Sequence, residues 1–372
     1  MTDQDGRGLA PAAVRPGGGS VSTPKTTPAT PDTRPDGPPD DDPQPPSFTA
    51  ERHVAPRWVR WGVPVVLAIV AVILPFVGID SAQQFLLAYM AIIALLAVSL
   101  HFLMGIAGLF SLGQAGFFGV GAYVGVVLMD KLGWDGAIAL PLVAVAGALV
   151  GLLMALATLR ASDLYLALTT LAFGFVGENV VRNIDYLGGA QGIAGFDLHF
   201  FGLTLDDPLL IYWIGLGCVI LFGVMITSMR RSKLGRALMA GREGPVAARS
   251  IGVDTGRYRF LAFGLSGAFA AIAGSLYTAY AYVLDPSVFG LTLTTTVLTI
   301  AIVGGLRSLP GVLVAAIVLT WFRSAVDGEA VSEYVLLIYA ALVVVTLLFL
   351  PQGIGGAMST LVRRLANRKG RS

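Results

Sequence analysis

Long apolar runs, nearly free of charge and following one another from Trp61 to Leu350, constrain this chain more than any other feature. A hydrocarbon layer about 30 Å thick is crossed by about 20 residues of helix, and inside it every backbone polar group needs an internal partner. Ten candidate spans result: Trp61 to Val77, Phe85 to Met104, Leu109 to Met129, Gly136 to Leu159, Tyr165 to Val181, Leu209 to Met229, Phe260 to Val283, Leu293 to Leu306, Gly311 to Phe322 and Tyr334 to Leu350. The expected fold is therefore all-α, a polytopic membrane helical bundle of about ten spans. The eighth and ninth runs are short and joined through Gly304, Gly305 and Pro310, so residues 293–322 read equally as one re-entrant hairpin, which lowers the count to eight. Composition agrees, since 55% of residues are hydrophobic and 13% charged, whereas soluble domains carry roughly a quarter charged residues.

Arginine and lysine placement sets the expected orientation, because cytoplasmic loops retain an excess of both. Arg52, Arg57 and Arg60 precede the first run, Arg160 follows the fourth, eight basic residues from Arg230 to Arg259 fill the loop after the sixth, Arg307 follows the eighth, and five more lie between Arg363 and Arg371. With both termini inside, every cluster falls on the cytoplasmic side. Residues 1–56 hold more than half of the 20 prolines and little that could be buried, so they read as a disordered cytoplasmic tail. The first apolar run begins too far from Met1 for a secretory signal. Residues 57–356 form the expected transmembrane domain and 357–372 a basic cytoplasmic tail. Cys218 is the single cysteine and lies in an apolar run, so no intrachain disulfide is expected.

Glycines four apart, as in Gly121/Gly125 and Gly147/Gly151, let helices approach closely. The denser cluster of Gly113, Gly116, Gly119 and Gly121, with Ser111 and Gln114, points to a broken helix whose backbone lines a polar cavity. Glu178 is an ionisable group within a span and a functional candidate, paired with Arg182 one turn later; both sitting at the outer interface is the alternative. Gly188, Gly189 and Gly192 come next as a flexible outer segment suited to a gate or a partner contact, or to an ordinary polar turn.

The loop from Arg230 to Arg259 is too long and too basic for a simple turn. A helix starting at Pro245 and stopped by Gly252 would lie across the membrane face, marginal by itself and held by a partner or by headgroups. The placement of Glu243, Ala247, Ala248 and Gly252 resembles the coupling segment of ABC importer permeases, and Arg236 and Arg242 belong to the same stretch. The resemblance runs from about Phe85 to Gly356 and is closest to the branched-chain amino-acid permeases of the Liv type, on the M-like side of the pair. It is carried by Gly108 through Tyr123, Tyr165 through Gly174, the Gly188 to Gly192 turn, Ala262-Phe263 with Ser266, Asp285-Pro286 with Phe289, Gly304-Gly305 and Pro351-Gln352-Gly353. Two departures stand out: Phe175 occupies the place of a common family glutamate, and Gly244-Pro245 separates Glu243 from the alanines.

The resemblance implies an ATP-driven importer permease for branched-chain or related hydrophobic amino acids. The implied partners are a second permease, two ATP-binding subunits, an extracellular substrate-binding protein and membrane lipid, with no nucleic acid. Arg236, Arg242, Glu243, Ala247, Ala248 and Gly252 would face the ATPase; Ser111, Gly113, Gln114, Gly116, Tyr165, Thr169, Thr170, Glu178, Gly188, Gly189 and Gly192 would line the path or gate. No phosphate loop, nucleophile turn or metal helix occurs, and His53, His101 and His199 are scattered. No catalytic residue, metal or cofactor is therefore expected. A permease for urea or short amides and an ion-driven secondary transporter are the other readings.

Overall fold

A computed structural model describes residues 57–76, 80–158, 163–196, 198–205 and 207–326, with isolated positions between 337 and 356. The expected tails at 1–56 and 357–372 and nearly all of the tenth expected span lie outside these residues.

Among the described residues, five helices are long and apolar enough to cross a membrane. The first is α2 (Ser81–Leu100), opened by a reciprocal cap between Asp80 and Gln83 and continued by π-wound turns to Ile106. The others are α4 (Gly136–Ala157), α5 (Asp163–Arg182), α6 (Pro208–Arg231) and α9 (Thr255–Ala281). Shorter helices are α1 (Arg57–Ile73), α3 (Gln114–Val126), α10 (Leu291–Gly304) and α11 (Leu309–Val326). Two more, α7 (Lys233–Glu243) and α8 (Pro245–Ser250), occupy the basic loop. The helical class holds, and among the described residues two ribbons of two-residue strands interrupt it. One pairs β1 (Ile193–Ala194) with β4 (Val283–Leu284), the other β2 (His199–Phe200) with β3 (Leu203–Thr204).

Helix α9 is the hub, packing on α2, α3, α4 and α6. Glycine makes this possible because in lipid the helices gain little from burial and rely on close contact. A Cβ on Gly121 would fall 2.0 Å from the Ala271 carbonyl oxygen, one on Gly274 1.8 Å from that of Phe118, and one on Gly151 2.3 Å from that of Phe263. Helix α10 turns back into α11 through a similar approach, a Cβ on Gly304 lying 2.5 Å from the Val312 Cα. The eighth and ninth expected runs are therefore a tight helical hairpin, with α11 longer than its run suggested.

The third expected span departs most. Hydropathy is continuous from Leu109, yet residues 107–113 are irregular, α3 begins at Gln114, and π-wound turns extend it to Lys131. Irregular backbone inside a membrane protein persists only where its polar groups are satisfied. Here Gly108 takes φ +72°, Ser111 Oγ accepts from the Gly113 amide, and Thr170 Oγ1 on α5 accepts from the Leu112 amide at 3.0 Å.

Candidate functional site

The expected site residues fall into three places along the bundle. The first is the helix break before α3. Gln114 is buried and its amide nitrogen donates to Ser266 Oγ at 2.9 Å, whose hydroxyl donates to the Ser99 carbonyl; the link joins α3, α9 and α2 near the midpoint of α9. Gly113 and Gly116 are spacers against α5. A Cβ at Gly113 would fall 2.8 Å from the Thr170 carbonyl oxygen, and one at Gly116 2.5 Å from the Phe173 ring. Thr170 is buried and donates its own hydroxyl hydrogen to Ala167. Beside the break lies a narrow crevice with no free room for a water molecule, lined by Leu112, Leu171, Gly174, Phe175, Phe289, Leu291 and Thr294. In place of the expected polar cavity there is a closed crevice with mostly apolar side chains, because Ser111, Thr170 and the Gln114 amide nitrogen are spent on holding the break together, while Gln114 Oε1 is buried without a partner.

The second place is the outer surface and far end of α5. Tyr165 is exposed, and the Thr169 hydroxyl donates back to the Tyr165 carbonyl. Glu178 and Arg182 form the expected pair at 2.8 Å on a partly exposed face. Beyond it, Gly188, Gly189 and Gly192 all take positive φ. Gly192 presses on the Leu284 carbonyl, where a Cβ would fall at 2.2 Å, so this segment closes against the β1–β4 ribbon. Asp285 caps the next turn; hydrogen bonds from Ser287, opposed by partial desolvation and helped by Arg182, hold its carboxyl below the usual range.

The third place is the basic loop, where α6, α7, α8 and the start of α9 gather beside the ends of α2 and α4. Arg236 is exposed and caps the Arg231 carbonyl. Gly244 breaks α7 from α8 in an extended conformation, Pro245 occupies the first turn of α8, and Gly252 at φ +84° lies just past its end. Ala248 is buried beneath, whereas Glu243 and Ala247 face outward with Val246, 78% exposed, and Ile251, 75% exposed. Arg242 points the other way. Its guanidinium donates to the Gly105 carbonyl, and burial followed by the neighbouring Arg307 lowers its pKa from the ordinary value. A cavity of about 300 Å³ opens behind α8, lined among others by Leu109, Leu238, Arg249, Tyr258 and Arg259.

Residues 84–347 match the family model for the branched-chain amino acid transport system / permease component. The chain belongs to this family. The permease is 31% identical to the high-affinity branched-chain amino acid transport system permease protein LivM of Escherichia coli (strain K12) over 315 residues, 78% of this chain and 73% of that protein. It is 27% identical to a probable branched-chain amino acid transport permease protein LivH of Methanocaldococcus jannaschii over 297 residues, 74% of this chain and 92% of that one. A shorter match, 27% over 146 residues, reaches the autoinducer 2 import system permease protein LsrC of Shigella flexneri. No solved structure matches the permease significantly. Family and apolar helices together make the permease a multi-pass membrane protein of a Liv-type ABC system, and the family is one of transport subunits.

Sequence reading passed over Gly105, Ser99 and Thr294, which complete these places. Ser266 and Phe289 were within the matched landmarks but drew no role. A glycine three residues before Gly108, at the end of an apolar run, was the available sign that another group docks there.

Proposed function

We propose that the permease is the membrane-spanning subunit of an ATP-driven importer for branched-chain or related hydrophobic amino acids, working with a second permease, two separate ATP-binding subunits and an external substrate-binding protein. The observation that carries the reading is the α7–α8 pair. A six-residue helix is too short to be stable by itself, yet this one is held at the bundle edge by buried Ala248 and by Arg249 Nε bonding Thr255 Oγ1 at 2.9 Å. It presents Val246, Ala247 and Ile251 outward beside Glu243, an apolar knob with a basic surround suited to a groove on another subunit.

In this reading both termini and the basic loop are cytoplasmic, the tails at 1–56 and 357–372 included, and the spans number ten, or eight if residues 293–322 are a re-entrant hairpin. Arg236, Glu243, Ala247 and Gly252 belong to the docking face. Tyr165, Thr169 and Glu178 line the path on the open side of α5, beside the closed crevice at Phe175 and Leu291. Ser111, Gly113, Gln114, Gly116 and Thr170 shape that path from behind, and Gly188, Gly189 and Gly192 close its outer end. ATP supplies the work, and the permease contributes conformational change without chemistry of its own.

Reconstitution tests this. Proteoliposomes holding the permease, its partner permease and the ATP-binding subunits are expected to accumulate radiolabelled leucine only with ATP and the binding protein. Accumulation by the permease alone under an ion gradient would sink the reading. Val246→Asp with Ile251→Asp is expected to abolish co-purification of the ATP-binding subunits while the permease remains folded.

A further inference from the structure

The carbonyls of a helix's last turn have no intrahelical donor and carry the negative end of its dipole, so a cation is favoured there. The buried helix α2 meets this problem at residues 101–106, where it widens into π-wound turns of the kind often found at functional sites. The donor that reaches the Gly105 carbonyl is Arg242, 137 residues away on the last turn of α7. Its stem lies across Gly108, where a Cβ would come within 2.3 Å of the Arg242 Cγ, so only glycine leaves room for it. Gly105 is also pressed by the turn between α10 and α11, a Cβ there falling 2.1 Å from the Leu306 carbonyl oxygen.

Past Gly108 the chain runs on through the helix break. Within four residues it reaches Leu112, whose amide donates to Thr170 on α5 and whose carbonyl accepts from Thr294 on α10. Two elements beside the apolar crevice thus hang on a segment whose near end is held by Arg242. The opposite end of α7 is fixed differently. Gly235 lies against the α6 backbone, with a Cβ position 2.0 Å from the Met229 carbonyl oxygen, and Ser232 caps the turn between the two helices. Helix α7 is therefore fixed to α6 by backbone at its start and packed into the core through Leu238 at its middle, and one long side chain at its end reaches the helix break, beside the Gly244 break that leads into α8.

We propose that Arg242 is a positioning residue that ties the α7–α8 pair to the unwound segment 107–113, delivering movement of the pair to the helix break through the Gly105 carbonyl and Gly108. This rests on the coupling role proposed above and assigns Arg242 to its inner side, away from the docking face.

The test uses the complete complex in proteoliposomes and reads radiolabelled leucine accumulated per ATP hydrolysed. Arg242→Met keeps the stem on Gly108 and removes the donor; Arg242→Lys keeps a cation; Gly108→Ala keeps the arginine and displaces it. Coupling of this kind is worth changes of about 5- to 150-fold. Arg242→Met and Gly108→Ala are expected to co-purify with the ATP-binding subunits at wild-type ratio and to move about tenfold less leucine per ATP, with Arg242→Lys in between. A merely structural role would lower the yield of complex and leave that ratio unchanged. Wild-type ratios in both Arg242→Met and Gly108→Ala overturn the proposal, as does loss of the ATP-binding subunits from Arg242→Met, which would place the arginine on the docking face. Should Arg242→Met fail to fold, Gly108→Ala decides alone. If the wild-type complex moves no leucine with ATP, the importer reading itself fails, and that result is distinct because it precedes any substitution.

Discussion

Replacing Gly274 with alanine should separate two helices that the bundle depends on keeping together. The new Cβ would sit 1.8 Å from the Phe118 carbonyl oxygen, 2.7 Å from its carbon and 2.9 Å from the Ala122 nitrogen, all backbone atoms that no rotamer change can move. Restoring ordinary contact at 3.4 Å requires α3 and α9 to part by about 1.6 Å. A gap of 0.5–1 Å already forfeits a quarter to a half of each contact's roughly 0.1–0.2 kcal/mol, so a seam of about 40 atom pairs loses about 2–3 kcal/mol. Alanine returns up to about 1 kcal/mol of helix propensity, leaving a net loss of about 1–3 kcal/mol. Gly217 on α6 is the control, being exposed with nothing within 4 Å of its Cβ position; Gly217→Ala should gain up to about 1 kcal/mol. Thermal unfolding in detergent, followed by tryptophan fluorescence, should place Gly274→Ala below Gly217→Ala by about 2–8 °C, taking roughly 2 °C per kcal/mol for a chain of this size. If Gly274→Ala melts level with or above Gly217→Ala, the close α3–α9 seam is not what holds these helices, and the packing account given for Gly121 and Gly151 fails with it.

Thr170→Val removes the acceptor of the part-buried Leu112 amide, which should cost about 1 kcal/mol in the same melting assay, while Thr170→Ser should restore most of it. Asp135 is held below its ordinary value of 3.8 by backbone amides, Ala137 first, then Phe201 and Gly202. A carboxyl depressed in the folded state contributes stability that is full above the unfolded value and lost as pH falls through the folded one. Asp135→Asn should therefore flatten the fall in melting temperature below about pH 4. The exposed pair of Glu178 and Arg182 should contribute little, so changing both to glutamine should leave the melting temperature essentially unchanged; a clear loss would mark the pair as structural.

The long helices were legible because each is an uninterrupted apolar run bounded by charge or a cap. Helices α4, α6 and α9 begin within five residues of the runs at 136, 209 and 260. The glycine cluster announced a broken helix, but hydropathy ran straight through Leu109 to Met129. The break is decided by Gly108 in the left-handed region and by Thr170, 58 residues from the amide it receives. No local pattern holds that information. Arg242 shows the same limit for the site. Its charge placed it with Arg236 and Glu243 in one basic loop, whereas its direction depends on an unsatisfied carbonyl 137 residues earlier.

Exposure separates the helices further. The apolar stretch of α2 is 89% buried within this one chain, whereas α4 and α5 are 28% buried and α6 33%. For α4 and α6 the exposed residues are mostly aliphatic, as Leu149, Leu153, Leu221 and Val224 are, and lipid satisfies them. Helix α5 differs. Its open side carries Tyr165, Glu178, Asn179 and Arg182 alongside Leu168 and Phe175, and polar or ionisable groups facing hydrocarbon are costly. The amide nitrogen of Asn179 is turned back to the Phe175 carbonyl, and Glu178 is turned to Arg182, which limits that cost without removing it. A second subunit laid along α5, with a water-filled path between the two as proposed above, would remove it. The polarity of this exposed helix thus agrees with the proposed permease pair independently of the basic loop, and in that proposal the partner would lie on the same side as the crevice beside the helix break.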